Sequence, residues 1–277
     1  MSSKKRILYI SQEVTPFLKA SEISSNVKTL AQKTQESGKE IRVFMPRYGL
    51  VNERRNQLHE VIRLSGMNMI INDVDHPLII KVASIPSAKM QVYFIDNQEF
   101  FKRKAIVKDE KGKFFDDNVQ RSVFFIRGTL ETVKKLGWIP DVIHCHGWMT
   151  SLLPLYLKTY FKDDPHYADT KVISSIYEDS YLGELDKNTL DILKFDGVEE
   201  SYFNHFKEDL SYLSLTKTAI DHSDGVVLFS DNIDSQITDY ANNSAADTLK
   251  FVKEDEHFDN CSAFYDQIIE KDAKLAE

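Results

Sequence analysis

The chain has 277 residues, 42% hydrophobic and 28% charged, so it can bury the core of one large domain or two small ones. Its formal net charge of −8 argues against a nucleic-acid partner and against an anionic membrane surface. No run reaches the roughly 18 apolar residues of a membrane helix, and Cys145 and Cys261 lie far apart, so we expect a cytoplasmic protein without membrane contact or disulfides.

The first 46 residues predict a strand, a helix and a second strand. "RILYIS" (6–11) and "EIRVFMP" (40–46) are apolar runs typical of buried parallel strands. Between them, Ser21 is a candidate N-cap and Gly38 a candidate end for a helix that begins near Glu22. An apolar stripe with helical spacing supports this helix. The stripe consists of Ile23, Val27, Leu30 and Ala31.

The rest of the chain continues this alternation after a β-rich excursion and a charged loop. Several short β-like runs between 58 and 95 predict hairpins or edge strands, and 99–117 reads as a surface loop. Further helices are predicted over 117–137, 147–161, 199–222 and from 231, and further strands over 141–145, 171–176 and 224–230.

Strands that alternate with helices predict an α/β fold with a Rossmann-like, doubly wound and mostly parallel sheet. We expect one domain over residues 1–241. Residues 242–277 are polar and acidic, and we expect them to form a helical and loosely attached extension.

The loop after the first strand could hold an anion, because helix N-termini bind anions through free N–H groups. Lys19 would add a positive charge, and Glu13 lies at the same edge of the sheet. However, Ser21 can cap the N–H groups itself, and Glu22 puts a negative charge at the helix start. Both interpretations stay open on the residues alone.

Other candidates for chemistry follow later elements. His144 and His146 are two apart, so on a strand their side chains point the same way. They could contribute to a metal site, but without a nearby third ligand they also fit buried, hydrogen-bonded histidines. Asp116 and Asp117 precede a helix, where capping is the ordinary role. Glu178 and Asp179 follow a strand and could bind hydroxyls or face water.

Six stretches, taken in order, resemble the bacterial glycogen synthase and plant starch synthase family. The similarity covers roughly residues 6 to 235, and its order and spacing agree with the family pattern. The six stretches are "ILYISQEVTPFLKASEI", "VFMPRYG", "VYFIDNQEFFKRKA", "DDNVQRSVFFIRGTLE", "PDVIHCHGWMTSLLPLYL" and "SYLSLTKTAIDHSDGVVLFSD".

The resemblance implies a GT-B architecture, in which two Rossmann-like halves face each other across a cleft. This chain resembles the N-terminal half, and we expect the C-terminal donor domain to be absent. ADP-glucose would be the donor substrate and an α-glucan the acceptor, with no metal or other cofactor. By resemblance, His146 and Asp117 would be catalytic residues that contact glucose. The substrate-binding positions would be Glu13, Lys19, which would contact donor phosphate, Tyr48 and Trp148.

Two departures from the family pattern bear on activity. The family's Lys-Thr-Gly-Gly loop is Lys19-Ala20-Ser21-Glu22 here, and its His-Asp-Trp motif is His146-Gly147-Trp148. The sequence therefore predicts a glucosyltransferase domain that is inactive as an isolated chain and needs a partner protein to supply the second half. The alternative is a non-catalytic glucan-binding, regulatory or protein-interaction domain of the same descent.

Overall fold

A computed structural model describes residues 4–178, 184–253 and 255–275. Its centre is a mixed sheet with the strand order β10-β9-β8-β7-β1-β2-β6-β5-β3, and β4 pairs with β5. The strands are β1 (Arg6–Ser11), β2 (Glu40–Pro46), β3 (His59–Glu60), β4 (Met67–Ile71), β5 (Val74–Ile85), β6 (Met90–Asp96), β7 (Val142–His146), β8 (Lys171–Ile176), β9 (Gly225–Leu228) and β10 (Asp247–Leu249).

Helices connect the strands and cover both faces of the sheet. They are α1 (Glu22–Glu36), α2 (Gln98–Phe101), α3 (Asn118–Lys135), α4 (Leu153–Lys158), α5 (Thr189–Phe195), α6 (Tyr212–Asp221), α7 (Ser235–Asn243) and α8 (Asp255–Leu275). Within the described ranges, none of these helices is long and apolar enough to cross a membrane.

The chain reverses its winding direction between two central strands. From β1 it crosses through α1 to β2 on one side, whereas from β7 it crosses through α4 to β8 on the other side. Because parallel crossovers are right-handed, α1 and α4 lie on opposite faces of the sheet. The predicted doubly wound α/β fold is confirmed, and its switch point lies between β1 and β7, where such folds bind ligands.

The C-terminal helix α8 is an integral part of the sheet packing. It lies beside α1, and its side chains Cys261, Phe264, Tyr265 and Ile268 are buried. The Phe264 ring lies over Gly225 in β9, where an added Cβ would be only 2.9 Å from the ring. The expected loose attachment of this segment is therefore wrong, because α8 packs on the sheet beside α1 and buries these side chains.

Two predicted helices are divided in the structure. Residues 147–161 form a 3-10 turn at Trp148–Thr150 followed by α4, and Pro154 lies in the first turn of α4, where its missing N–H costs no hydrogen bond. Residues 199–222 form a 3-10 helix at Glu200–Lys207 and then α6. The Ser211 hydroxyl caps α6 by accepting a hydrogen bond from the Ser214 N–H at 3.2 Å, which starts a new helix there.

Candidate functional site

The start of α1 satisfies its own backbone groups. The Ser21 hydroxyl accepts the Ser24 N–H at 3.1 Å, and the Ser24 hydroxyl accepts the Ser21 N–H at 2.8 Å. This reciprocal arrangement is a capping box with serine in both positions. The prediction of Ser21 as the N-cap is confirmed, and two N–H groups that an anion could have used are occupied.

Glu13 places a negative charge beside this helix start. Its side chain is buried, and one carboxylate oxygen accepts a hydrogen bond from the Gln12 amide at 3.0 Å. The other oxygen accepts one from the Ser21 hydroxyl at 2.8 Å. Among the described residues Glu13 has no ion-pair partner, so neutral donors and the positive end of the helix dipole stabilise its charge.

An open pocket of about 770 Å³ lies in front of the Glu13 carboxylate. Lys19 lines it from the loop after β1, and Arg55 lines it from the segment after β2. Glu22 is exposed and, in the part of the chain that the structure describes, is not among the lining residues. The lining consists of Glu13, Thr15, Pro16, Phe17, Leu18, Lys19, Ala20, Ser21, Leu50, Asn52, Arg55, Asn56 and Ile106.

The two histidines of β7 are buried within the strand and are not among the described residues that line the pocket. Their ring centroids are 4.1 Å apart, so the side chains point the same way, as the spacing predicts. His144 contacts the Tyr265 hydroxyl at 2.8 Å and the Ser175 hydroxyl at 2.7 Å. His146 is 0% exposed and contacts the Tyr177 hydroxyl at 2.8 Å.

Burial keeps both imidazoles neutral. Loss of hydration lowers the pKa of His146 to about 3 and lowers the pKa of His144 well below its ordinary value. A metal would need at least one further ligand, and the described residues contain no group of three or more His, Cys, Asp and Glu side chains placed to hold one. The hydrogen-bonded alternative fits His144 through both ring nitrogens, whereas His146 is hydrogen-bonded through Nδ1 and its buried Nε2 has no partner among the described residues.

Tyr48 and Trp148 are also buried and are not among the described lining residues of the pocket. Tyr48 is fully buried, and its hydroxyl donates a hydrogen bond to the Met149 sulfur at 3.2 Å. Trp148 is buried and lines a small cavity of about 20 Å³ together with Tyr177. The predicted site residues thus separate into two groups: Glu13 and Lys19 line the pocket, whereas His146 and the two aromatic side chains are buried outside its described lining.

Asp117 is engaged with a neighbouring cation. Its two carboxylate oxygens accept hydrogen bonds from the two terminal nitrogens of Arg103 at 2.6 and 2.5 Å. It stands at the N-cap of α3 without a side-chain capping bond, so the capping interpretation is wrong for Asp117. The carboxylate of Asp186 takes that role from a distant segment and accepts the Val119 N–H at 2.8 Å. Asp116 is exposed and pairs with Lys113 at 2.9 Å.

Comparison with known proteins decides the family. The family described as the starch synthase catalytic domain matches residues 6–250. This chain belongs to the starch synthase catalytic domain family. Glycogen synthase from Chlorobium limicola is 39% identical over 173 residues, which cover 62% of this chain and 35% of that protein. Glycogen synthase from Chlorobium phaeovibrioides is 35% identical over 241 residues, which cover 86% of this chain and 48% of that protein.

This chain thus spans half or less of the length of these curated relatives. A solved structure, the catalytic domain of Starch Synthase IV from Arabidopsis thaliana bound to ADP and acarbose, matches it with a TM-score of 0.73. That match covers 91% of this chain and 52% of the plant chain at 18% sequence identity, so it shows the fold alone. The predicted family and the predicted Rossmann-like half of a GT-B fold are both confirmed.

Two features of this starch synthase-family domain were missed by sequence reasoning. Arg121 is fully buried in α3 and donates to the carbonyl oxygens of Phe100 at 2.8 Å and Ile106 at 2.6 Å, so it holds the loop that carries Ile106 into the pocket wall. An arginine between the apolar positions of the α3 stripe was the available signal. The second feature is the Gln12 side chain, which fills the space beside Gly147.

The glutamate that follows β8 is exposed. Glu178 lies near the Ser230 hydroxyl at 3.4 Å and the Asn232 amide at 3.5 Å, which fits the water-facing interpretation. Its predicted companion Asp179 lies outside the described residues.

Proposed function

We propose that this chain binds a glucosyl unit of an α-glucan in the pocket beside Glu13 and does not transfer glucose by itself. The observation that carries the proposal is the contrast between two groups of residues. The buried Glu13 carboxylate opens onto a pocket of about 770 Å³, within the range of small-molecule sites. Of the residues expected to act on glucose, His146 is fully buried and Asp117 is paired with Arg103.

The chemistry of the pocket suits a sugar. A carboxylate held by neutral donors keeps free lone pairs, and sugar hydroxyls can donate strong, charge-assisted hydrogen bonds to it. The amides of Asn52 and Asn56 add donors and acceptors along the wall. Leu50, which is 46% exposed, and Ile106 supply apolar surface for the C–H faces of a pyranose ring.

Retaining glucosyl transfer needs groups that touch the reacting sugar and stabilise its developing charge. His146 is 0% exposed, and the carboxylate of Asp117 is neutralised by Arg103 through two hydrogen bonds. Neither group meets this requirement without a rearrangement. The absence of transfer by the chain alone is therefore part of the proposal.

Calorimetric titration with maltooligosaccharides tests the binding. We expect saturable binding that weakens by at least about tenfold in Glu13→Gln, because a hydrogen bond to a charged group contributes roughly 1.5–3 kcal/mol. Glu36→Gln, at the exposed end of α1, is the matched control and should bind like the wild type. Equal binding by wild type and Glu13→Gln, or no binding at all, would refute the proposal.

A second candidate is a glucosyltransferase that works with a partner protein supplying the second half of the cleft. The family match over residues 6–250 favours it, and ADP-glucose would then be the donor. In that case ADP-glucose raises the melting temperature and Lys19→Ala abolishes the rise. Transfer of radiolabelled glucose from ADP-glucose into glycogen would occur only after a partner fraction is added. Transfer by the purified chain alone would overturn the non-catalytic assignment.

A further inference from the structure

Two exposed cations stand at the pocket rim in a protein that is otherwise acidic. Lys19 comes from the loop after β1, and Arg55 comes from the segment after β2. Among the described residues neither has an ion-pair partner. The acid closest in sequence to Arg55 is Glu53, and its carboxylate is engaged by Lys81 at 2.8 Å and by Arg47 at 3.4 Å. The two cations are therefore available to a ligand.

The backbone that carries Arg55 is held in place by its own hydrogen bonds. The Arg55 N–H donates to the Asn52 side-chain oxygen at 2.9 Å, and the Asn56 amide donates to the Asn52 carbonyl at 2.9 Å. This turn puts Asn52, Arg55 and Asn56 into the pocket lining. Arg54, its exposed neighbour, is not among the described lining residues.

The charges in the pocket are separated by depth. Glu13 is 8% exposed at the back, whereas Lys19 and Arg55 are exposed at the rim. A carboxylate accepts hydroxyl hydrogen bonds and repels phosphate, and paired cations attract phosphate, which carries between one and two negative charges at neutral pH. A neutral sugar would use only the back of this pocket. A ligand with hydroxyls at one end and an anion at the other would use both parts.

We propose that the pocket takes a glucosyl unit that carries a phosphate monoester, with its hydroxyls at Glu13 and its phosphate between Lys19 and Arg55. This inference rests on the proposed sugar site and adds the chemical class of its ligand. The shared chemistry is a phosphorylated glucose, whether as a free sugar phosphate or as a phosphorylated unit of a glucan.

The test compares Arg55→Gln with Arg54→Gln. Each variant removes one positive charge, and the two positions are adjacent in the chain. Each variant and the wild type are titrated with glucose 6-phosphate, glucose 1-phosphate, glucose, maltotriose, inorganic phosphate and ADP-glucose. We expect at least one monoester to bind about tenfold or more tightly than glucose, with an affinity that falls as salt rises. Arg55→Gln should lose that advantage and keep the wild-type affinity for maltotriose, and Arg54→Gln should match the wild type throughout.

Three results would overturn the inference. In the first, Arg55→Gln weakens the binding of maltotriose and of the monoesters equally, which would show that Arg55 does not recognise the phosphate. In the second, inorganic phosphate binds as tightly as the sugar phosphates, which would show that the site binds the anion and does not recognise the sugar. In the third, only the binding of ADP-glucose depends on Arg55, which would show that the cations recognise a diphosphate and not a monoester. Maltotriose binding and its loss in Glu13→Gln test the underlying sugar site separately, and a phosphorylated glucan fragment then distinguishes the two monoester sources.

Discussion

At the scale of single residues, Gly147 and Gln12 form a matched pair at the switch point. Gly147 has φ +85° and ψ 158°, a region that essentially only glycine occupies. A Cβ at this position would lie 2.4 Å from the Gln12 side chain. The family's aspartate therefore cannot be restored at position 147 by one substitution, because Gln12 fills the space that its side chain would need.

We expect Gly147→Ala to lower the free energy of unfolding by about 3 kcal/mol, since backbone strain and overpacking each cost roughly 1–3 kcal/mol. Urea denaturation measures the change. Gly137→Ala is the control, because Gly137 has φ +62° but no atom within 4 Å of an added Cβ, so it should lose only about 1 kcal/mol. Gln12→Ala in the Gly147→Ala background should recover the steric part. Equal costs at positions 147 and 137 would contradict this account.

The buried histidine of β7 predicts a dependence of stability on pH. Burial lowers the pKa of His146 to about 3 in the folded protein, whereas an unfolded histidine titrates near 6.5. The unfolded chain therefore binds one more proton than the folded chain between these values. This contribution to stability is fully present above pH 6.5 and is lost as the pH falls toward 3, at up to about 1.4 kcal/mol per pH unit.

We expect His146→Gln to reduce this slope by about one proton, measured by urea denaturation at several pH values between 4 and 7. His144 lies in the same buried network, so a slope remains in the variant. His59→Gln, at an exposed histidine, is the matched control for the exchange of histidine for glutamine. An unchanged slope in His146→Gln would mean that His146 does not titrate between the two states as described.

At the scale of elements, one hydroxyl of α8 contacts side chains from two central strands. The Tyr265 hydroxyl lies 2.8 Å from the His144 ring and 3.0 Å from the Tyr9 hydroxyl. All three groups are buried, and an unpartnered buried polar group costs roughly 1–3 kcal/mol. The helix therefore supplies the partner of the His144 Nδ1 atom and a second partner for the Tyr9 hydroxyl, which also contacts the Thr34 hydroxyl at 2.8 Å.

Tyr265→Phe should lower the free energy of unfolding by about 1–3 kcal/mol, because it removes the hydroxyl and leaves His144 without that partner. Thermal and urea denaturation measure the loss. Tyr202→Phe is the control for an exposed tyrosine and should change stability by less than about 0.5 kcal/mol. A Tyr265→Phe protein as stable as the Tyr202→Phe protein would show that these hydrogen bonds do not contribute to the free energy of unfolding.

Local patterns predicted the elements well but not their ends. The stripe of α1 and its Ser21 cap depend on neighbours within eight residues, and both are confirmed. The docking of α8 depends on contacts such as Tyr9 with Tyr265, 256 positions apart, which no periodicity reports. Site prediction shows the same contrast: the strand end placed Glu13 at the pocket, whereas the pairing of Asp117 with Arg103 needed the fold.

At the scale of the whole molecule, one hydrophobic core joins the two ends of the chain. A single cluster of buried side chains contains Ile7 of β1 as well as Phe264 and Ile268 of α8. Because the chain winds in both directions from the switch point, α1 and α4 lie on opposite faces of the sheet, and α8 lies beside α1 and packs on β7 and β9. The sheet that carries the pocket beyond β1 and β2 is therefore supported by segments from both ends of the sequence.

A shared core predicts that α8 opens only when the sheet unfolds. Under native conditions, hydrogen exchange of the amides from Cys261 to Ile268 should be protected to the same opening free energy as that of β8. Tyr265→Phe should lower both values by the same amount, because both report one cooperative unit, whereas Tyr202→Phe should lower neither.

Far-UV circular dichroism and the fluorescence of the buried Trp138 and Trp148 should then give coincident unfolding transitions. Exchange in α8 that is tenfold or more faster than in β8, or a Tyr265→Phe effect confined to α8, would instead identify the helix as a separately opening segment.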